Sequence, residues 1–292
     1  MTTREIALSY LEKGLSVIPM KSPAIVKRSM KFKQMVQAEF ENNKLLPNPR
    51  TEKEIYEELF LRECKKPLLG WKEYQDRLPT VDEVNNWFNM NPEANIGIIT
   101  GAISNLVVFD LDSDAAVQYA EELGGFPEYT VKVKSRRGYH IYMRHPGFNV
   151  KNQVSEKLEI DIRADGGLIM APPSTHGSGS QYQWAEGFSM FQIDPAECTP
   201  WMIDYLKEVT RMSSALNKKQ TKAETIPANQ KEIKANEYLD LLKNDCPQGE
   251  RNHATTKLIG HLLKTGMKGA EIWELFQLWN ETKVKPLWVL VN

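Results

Sequence analysis

The chain has 292 residues, of which 41% are hydrophobic and 26% charged, and its formal net charge is −1. This composition favours a globular protein with a sizeable core, in one large domain or two smaller ones. A net charge so close to zero excludes a polycation, so any nucleic acid would have to bind at local basic patches. The cysteines Cys64, Cys198 and Cys246 are far apart and lack a CxxC spacing, which argues against a disulfide framework or a cysteine-based zinc site.

Membrane insertion and export are not predicted either. No apolar run approaches the roughly 18 residues of a membrane-spanning helix. The N-terminus, Met1 to Glu5, opens a polar helix and not a signal peptide. We therefore expect a cytoplasmic protein with reduced thiols and without a membrane partner.

The N-terminal elements begin with a helix and a strand. Residues 3–13 have a helical pattern that stops at Gly14, and Leu15 to Ile18 form a short apolar strand that we expect to end at Pro19. Residues 20–50 are rich in Lys and Met and follow no clear period, so we expect an irregular insertion with room for one helix.

Two further helices are predicted from capping boxes. In a capping box, a Thr side chain accepts a hydrogen bond from the backbone N–H three residues later, and the side chain of a Glu at that later position accepts one from the Thr N–H. Thr51 with Glu54 and Thr80 with Glu83 have this spacing. Each pair should therefore begin a helix.

Short strands dominate residues 95–184. Their apolar or alternating patterns predict strands over 96–99, 106–112, 130–134, 139–144, 158–163 and 168–171. Helices are predicted over 114–123 and 200–210. Paired strands with flanking helices favour an α+β fold with a mixed or largely antiparallel sheet.

The last third of the chain has a different composition. Residues 211–235 are polar and poor in large apolar groups, which is typical of a linker. Residues 236–292 show helical periodicity up to about residue 282 and no strand pattern. We expect a first domain over 1–210, a linker over 211–235 and a small all-α domain over 236–292.

Two carboxylates lie at the end of the predicted strand 106–112. Because alternate residues of a strand share a face, Val107, Phe109 and Leu111 should point into a core while Asp110 and Asp112 point away from it. Two acids placed so close repel each other unless a cation lies between them, and oxygen ligands suit Mg²⁺ or Mn²⁺. The alternative is a solvated strand end whose acids cap the next helix.

A basic turn joins the next two predicted strands. It runs from Ser135 through Arg136 and Arg137 to Gly138, and such a turn lets backbone N–H groups and guanidinium groups approach phosphate oxygens. On the following strand, His140 and Arg144 share one face. The alternative is a surface hairpin with a packed histidine.

A third acid lies on the strand 158–163. Asp161 and Arg163 share its polar face, so they could hold a metal and a triphosphate together. After the next strand, Pro172 and Pro173 form a rigid corner that leads to Ser174 and His176. This polar stretch is suited to lining a ligand, although it also fits a plain surface loop.

In this order, the acidic pair, the basic hairpin with its histidine, the third acid and the Pro-Pro-Ser corner resemble the bifunctional primase-polymerase (prim-pol) family of the archaeo-eukaryotic primase superfamily. Lys66-Pro67 followed by Trp71 is similar to a further element of that family. The resemblance covers roughly residues 1–30 and 64–185. It leaves 31–63 unassigned, and Arg137 stands where the family often has glycine.

The resemblance implies a prim-pol catalytic domain with two Mg²⁺ or Mn²⁺ ions held by Asp110, Asp112 and Asp161. It identifies His140 as the nucleotide-binding histidine. Further nucleotide-binding residues would be Arg163, Ser135, Arg137, Gly138, Arg144, Ser174 and His176. The implied activity is template-directed joining of dNTPs or NTPs on single-stranded DNA, with or without a primer, in a prokaryotic plasmid or phage setting.

The helical tail resembles the primase C-terminal helical domain, through Gly249 to Asn252, Leu258 to Leu263 and Trp279-Asn280. We expect its template or initiation contacts at Arg251, Asn252, His253 and Lys257, because they lie near a helix N-terminus. No GxxxxGK[ST] sequence is present, so any helicase would be a separate polypeptide.

Two other functions stay open at this point. One is a non-catalytic DNA-binding replication initiator, against which the intact acids and histidine argue. The other is a haloacid-dehalogenase-like phosphatase, whose opening acidic pair Asp110 and Asp112 imitate. That family places its acids early in the chain, whereas here 109 residues precede them.

Overall fold

The computed structural model describes residues 1–211 apart from 45, 47 and 155–159, and further on residues 254, 257–259, 262 and 269–283. The chain divides into two compact units, Met1–Phe32 with Glu57–Asn217 and Lys33–Tyr56 with Lys218–Asn292. The carboxylates and the basic turn all belong to the first unit. The predicted linker lies outside the described residues except for residue 211, so the boundary at 210 stays a prediction.

The helices of the first 211 residues follow the predicted boundaries closely after residue 50. They are α1 (Thr3–Glu12), α2 (Pro23–Arg28), α3 (Met30–Asn43), α4 (Glu52–Glu63), α5 (Val81–Met90), α6 (Asp114–Glu122) and α7 over residues 200–211. Both predicted capping boxes are confirmed. The Thr80 hydroxyl accepts from the Glu83 N–H at 3.2 Å, and the Thr51 hydroxyl accepts from the Glu54 N–H at the same distance.

The prediction of an irregular segment over residues 20–50 is wrong, because α2 and α3 occupy most of it. Ser22 caps α2 by accepting from the Ile25 N–H at 3.3 Å. Ser29 separates the two helices, and its hydroxyl accepts from the Phe32 N–H at 3.2 Å. This break resets the helical phase, so a single period fitted across the segment finds no helix.

Two antiparallel sheets form the centre of the first unit. The three-stranded sheet has the order β1 (Ser16–Met20), β2 (Asn95–Ile99), β7 (Leu168–Ala171). The five-stranded sheet has the order β6 (Ile160–Arg163), β3 (Leu106–Leu111), β5 (Tyr139–Arg144), β4 (Val131–Lys134), β8 (Gln183–Trp184). The fold is therefore α+β, as predicted, and every strand pair is antiparallel.

Pro19 lies inside β1, where it pairs with Ile96, so the prediction that it ends the strand is wrong. β1 is the edge of its sheet, and an edge strand tolerates a residue that lacks an N–H group. The Pro19 carbonyl still accepts from the Leu68 N–H at 3.0 Å. The Lys21 N–H donates to the Lys66 carbonyl at 2.9 Å, so the segment after α4 is fastened along this edge.

Two hydrophobic clusters lie on the two faces of the five-stranded sheet. Val108, Val133 and Tyr142 belong to the first cluster, together with residues of α1, α5 and the three-stranded sheet. Phe109 and Ile141 belong to the second cluster, together with residues of α6 and α7. Strand β3 is thus buried on both faces, which makes it the best-anchored strand of the unit.

The described part of the C-terminal region is helical. It includes α8 (Gly269–Lys283), and Ala254, Leu258 and Trp279 are buried in one small cluster. The expected helical character is confirmed for these residues. Arg251, Asn252 and His253 lie outside the described residues, and Lys257 is exposed. No helix among the described residues is long and apolar enough to cross a membrane.

Gly101, between β2 and β3, lies in close contact with the backbone at Asp165. Gly101 has a φ of +98°, and a Cβ there would lie 2.5 Å from the Asp165 Cα. Gly14 has a similar φ of +79° but open space around it. We expect Gly14→Ala to cost about 1 kcal/mol of unfolding free energy from strain alone, and Gly101→Ala to cost about 3 kcal/mol or more from strain plus overlap. Urea denaturation of both variants measures the difference, and equal costs would contradict the close approach.

Candidate active site

The pairing register of three strands brings the predicted residues into one row. Asp110 on β3 lies directly opposite His140 on β5 and directly opposite Asp161 on β6. Because all three share a strand face, their side chains stand side by side across the sheet. The row lies on the same face as Val108 and Tyr142 of the first hydrophobic cluster, where that cluster ends.

Asp110, Asp112 and Asp161 form a cluster of carboxylates. Each offers an oxygen, and these oxygens all lie within 4.8 Å of one another. Burial and then the negative charge of Asp112 raise the pKa of Asp110 to about 7. Removal from water and the neighbouring acid therefore disfavour the ionised form of Asp110, and a bound cation would favour it again.

Two arginines approach these acids from different elements. The Arg163 guanidinium lies 2.7 Å from Asp161 Oδ2 and 3.9 Å from Asp110 Oδ2. The Arg137 guanidinium lies 4.0 Å from Asp112 Oδ1 and is mostly exposed. Arg163 consequently orients the row from within, whereas Arg137 remains able to contact a ligand.

His140 is almost fully buried beside Asp110. Its Nε2 lies 3.3 Å from Asp110 Oδ1, and its ring packs 5.4 Å from the ring of Tyr182, centroid to centroid. Burial, and then the positive charges of Arg163 and Lys65, lower the pKa of His140 to about 3. The imidazole is therefore neutral at physiological pH, and it offers one N–H donor and one acceptor.

The basic turn is held against β3 by a glycine. A Cβ at Gly138 would lie 1.9 Å from the Leu111 carbonyl oxygen, so only glycine fits there. The Gly138 N–H donates to the Ser135 hydroxyl at 3.2 Å, and the Ser135 N–H donates to the Gly138 carbonyl at 3.0 Å. This close approach places Arg136 and Arg137 at the end of the carboxylate row.

A cleft opens over the row in two parts. One part, of about 350 Å³, is lined by the three carboxylates and by four cations, Lys65, Arg136, Arg137 and Arg163. The other, of about 390 Å³, has more apolar walls from Met20, Trp71, Leu168, Ile169 and Met170. Lys65, Asp110, His140, Arg163 and Tyr182 line both parts. Phosphates suit the first part, and a flat ring suits the second.

A match to a known protein family identifies the class of protein that has this cleft. Residues 7–201 match the family described as bifunctional DNA primase/polymerase, N-terminal. The chain belongs to this family. No single curated protein matches it significantly. The matched range contains every residue of the carboxylate row and of the basic turn.

For this prim-pol chain, the predicted site residues fall into two groups. The cleft brings together Asp110, Asp112, Asp161, His140, Arg163, Ser135, Arg137 and His176, with Gly138 in the adjoining turn. His176 Nδ1 accepts from the Ser178 N–H at 3.1 Å, so the proton of the neutral ring is on Nε2 and can be donated to a ligand.

Arg144 and Ser174 lie outside this cleft. Arg144 is at the far end of β5, where it forms an ion pair with Glu197 at 2.7 Å and lines a separate cavity. The Ser174 hydroxyl is buried, accepts from the Ile96 N–H at 2.9 Å and donates to the Ile96 carbonyl at 3.1 Å. Both contacts of Ser174 serve to join the Pro-Pro corner to β2.

Sequence reasoning missed several residues of the cleft, including Lys65, Tyr182 and Asn152. Lys65 follows a predicted helix, but the resemblance to the family identified its neighbour Lys66, because Lys66 directly precedes Pro67. Tyr182 belongs to a segment with no strong pattern before β8. Their shared feature, exposure to the same cleft, depends on tertiary packing and leaves no periodic trace in the sequence.

Ser174 provides a test of structural against ligand-binding roles. Ser174→Ala leaves the buried Ile96 N–H without its partner, so we expect a loss of about 1–3 kcal/mol of unfolding free energy. Nucleotide affinity of the folded variant should stay within twofold of wild type. His176→Ala, in the cleft, should show the reverse pattern. Urea denaturation and nucleotide titration check both variants, and weaker nucleotide binding by Ser174→Ala at full stability would restore Ser174 as a ligand residue.

Proposed function

We propose that this protein is a template-directed nucleotidyltransferase that joins dNTPs or NTPs and releases pyrophosphate. The observation that carries the proposal is the strand register, which puts Asp110, His140 and Asp161 in one row beneath a cation-lined cleft. The Asp112 carboxylate, just after β3, lies close enough to complete the cluster of three acids. Membership of the bifunctional primase/polymerase family supports the same activity. DNA and nucleotides are the substrates that this family implies.

The carboxylate cluster of Asp110, Asp112 and Asp161 fits divalent cations. All three donors are carboxylate oxygens, which Mg²⁺ and Mn²⁺ prefer. Asp110 Oδ1 is buried and accepts no hydrogen bond, although His140 Nε2 lies 3.3 Å away. Asp110, Asp112 and Asp161 would hold two such ions. When bound, the ions would activate the attacking 3′-oxygen and stabilise the charge on the leaving pyrophosphate.

The remaining residues would bind and orient the triphosphate. His176 presents an Nε2 donor, and Arg137 presents a guanidinium that only partly engages Asp112. Arg163 holds Asp161 in place and so fixes the direction of its carboxylate. His140 stays neutral, so it adds a hydrogen bond without neutralising Asp110. Base pairing to the template would select the nucleotide.

The setting of the reaction is also part of the proposal. Single-stranded DNA with or without a primer would be the template, in plasmid- or phage-type replication, with any helicase on a separate chain. Arg251, Asn252, His253 and Lys257 of the helical tail would contact the template or the first nucleotide. The helical tail would then offset the entropy that two free nucleotides lose at initiation.

Two other functions fit the site less well. A non-catalytic initiator would have no use for the two buried carboxylates Asp110 and Asp161, which cost folding free energy unless a cation offsets them. A haloacid-dehalogenase-like phosphatase would need β3 in a parallel sheet, whereas both neighbours of β3 are antiparallel to it. Release of phosphate from a monoester without strand synthesis would nevertheless favour the phosphatase.

Primer extension with Mg²⁺ or Mn²⁺ tests the carboxylates directly. We expect Asp110→Asn and Asp161→Asn to reduce extension at least 1,000-fold, because each removes a charge from the metal-binding row. The control is Asp114→Asn, which changes an exposed acid on α6, four residues after Asp110 and outside the cleft. Near wild-type extension by an Asp110→Asn, Asp161→Asn double variant would refute the assignment.

Replacement of the histidine should affect the nucleotide and not the template. His140→Ala should raise the apparent nucleotide KM about 10- to 100-fold, since one hydrogen bond to a charged group is worth about 1.5–3 kcal/mol. The affinity for primer–template, measured by fluorescence anisotropy, should be unchanged. A fall in kcat at constant nucleotide KM would show instead that His140 acts only through Asp110.

A further inference from the structure

Lys65 is a cation of the cleft whose function the carboxylate chemistry does not explain. It follows the last residue of α4 by two positions and lines both parts of the cleft. Its charge acts on residues from separate segments. Burial lowers the pKa of His176, and the charges of Lys65 and then Arg136 lower it further. Lys65 therefore faces the carboxylate row from the opposite wall.

The lysines around it are engaged elsewhere. Glu63 is buried and forms ion pairs with both Lys21 and Lys66. Lys65 lies between Glu63 and Lys66 in the chain, yet it has no ion pair among the described residues. Glu63 thus holds the ammonium groups of Lys21 and Lys66, while Lys65 lines the cleft.

The backbone around Lys65 is fixed before any ligand binds. The Lys66 carbonyl accepts from the Lys21 N–H at 2.9 Å, and the Leu68 N–H donates to the Pro19 carbonyl at 3.0 Å. Behind it, Cys64 is buried, and a Cβ at Gly177 would lie 2.9 Å from the Leu61 side chain. The end of α4 is therefore clamped between β1 and the loop that carries His176.

We propose that Lys65 binds the terminal phosphates of the incoming nucleoside triphosphate. Three negative phosphates must enter a cleft whose floor already bears three carboxylates, so cations are needed on the opposite wall. Arg163 is committed to Asp161 at 2.7 Å, whereas the Lys65 ammonium is uncommitted. A flexible ammonium with three donors can follow the terminal phosphates as they leave. This inference rests on the proposed function, since it names a ligand of the same site.

The test compares ligands that differ only in their phosphates. The full chain is titrated calorimetrically, in Mg²⁺, with a non-hydrolysable α,β-methylene deoxynucleoside triphosphate and with the matching monophosphate. Lys65→Ala should weaken the triphosphate about 10- to 100-fold, the range expected for one charge-assisted contact, and change the monophosphate less than twofold. Lys65→Arg should restore most of the triphosphate affinity.

Lys66→Ala is the matched control, because it removes a neighbouring charge that Glu63 engages and should leave both affinities within twofold. In primer extension, Lys65→Ala should raise the nucleotide KM and leave that of the primer–template unchanged.

Equal losses for both nucleotides, no loss for either, or the same loss in Lys66→Ala would overturn the role of Lys65. If Lys65→Ala weakens triphosphate binding as expected but the wild-type chain synthesises no strand, the proposed function is overturned and Lys65 remains a triphosphate ligand. A wild-type chain that binds no triphosphate would overturn both.

Discussion

The site depends on the register of β3 with its two neighbours. Asp110 meets His140 and Asp161 because the three strands pair at these residues and not one position away. Side chains alternate between faces, so a slip of one residue in β5 or β6 would carry His140 or Asp161 to the opposite face and bring Ile141 or Ile162 towards the cleft. The two hydrophobic clusters oppose such a slip, since each would lose buried side chains. The interactions that fold the sheet thus also assemble the chemistry.

Burial then acts in opposite directions on the two central groups of the row. It raises the pKa of Asp110 and lowers that of His140, because removal from water disfavours any charged form. Asp110 and His140 both remain polar, but neither does much to offset a charge on the other. In the proposed reaction, cations for the carboxylates and basic groups for the phosphates would therefore both be needed when a nucleotide enters.

Much of this arrangement could be predicted from the sequence, because the strands alternate cleanly and the acids follow apolar runs. The faces assigned to Phe109, His140 and Asp161 are confirmed by the clusters and the register. Residues placed only by tertiary packing could not be predicted. Ser174 and Arg144 have suitable chemistry, but the Ser174 hydroxyl is hydrogen-bonded to the Ile96 backbone and the Arg144 guanidinium is paired with Glu197. Lys65 was missed for the converse reason: its position depends on a clamp between β1 and a loop distant in sequence.

Because β3 is buried on both faces, the floor of the cleft should be less mobile than its walls. Backbone hydrogens in a strand that is covered on both sides exchange with solvent mainly when the whole unit unfolds. Asp110, at the centre of the row, therefore lies on a floor that should stay fixed on the timescale of turnover. The basic turn, Lys65 and the loop with His176 lie at the surface, and their side chains can change rotamer at much lower cost than the strand can open. Substrate entry and product exit would then be accommodated by the walls while the geometry of the floor is conserved from one catalytic cycle to the next.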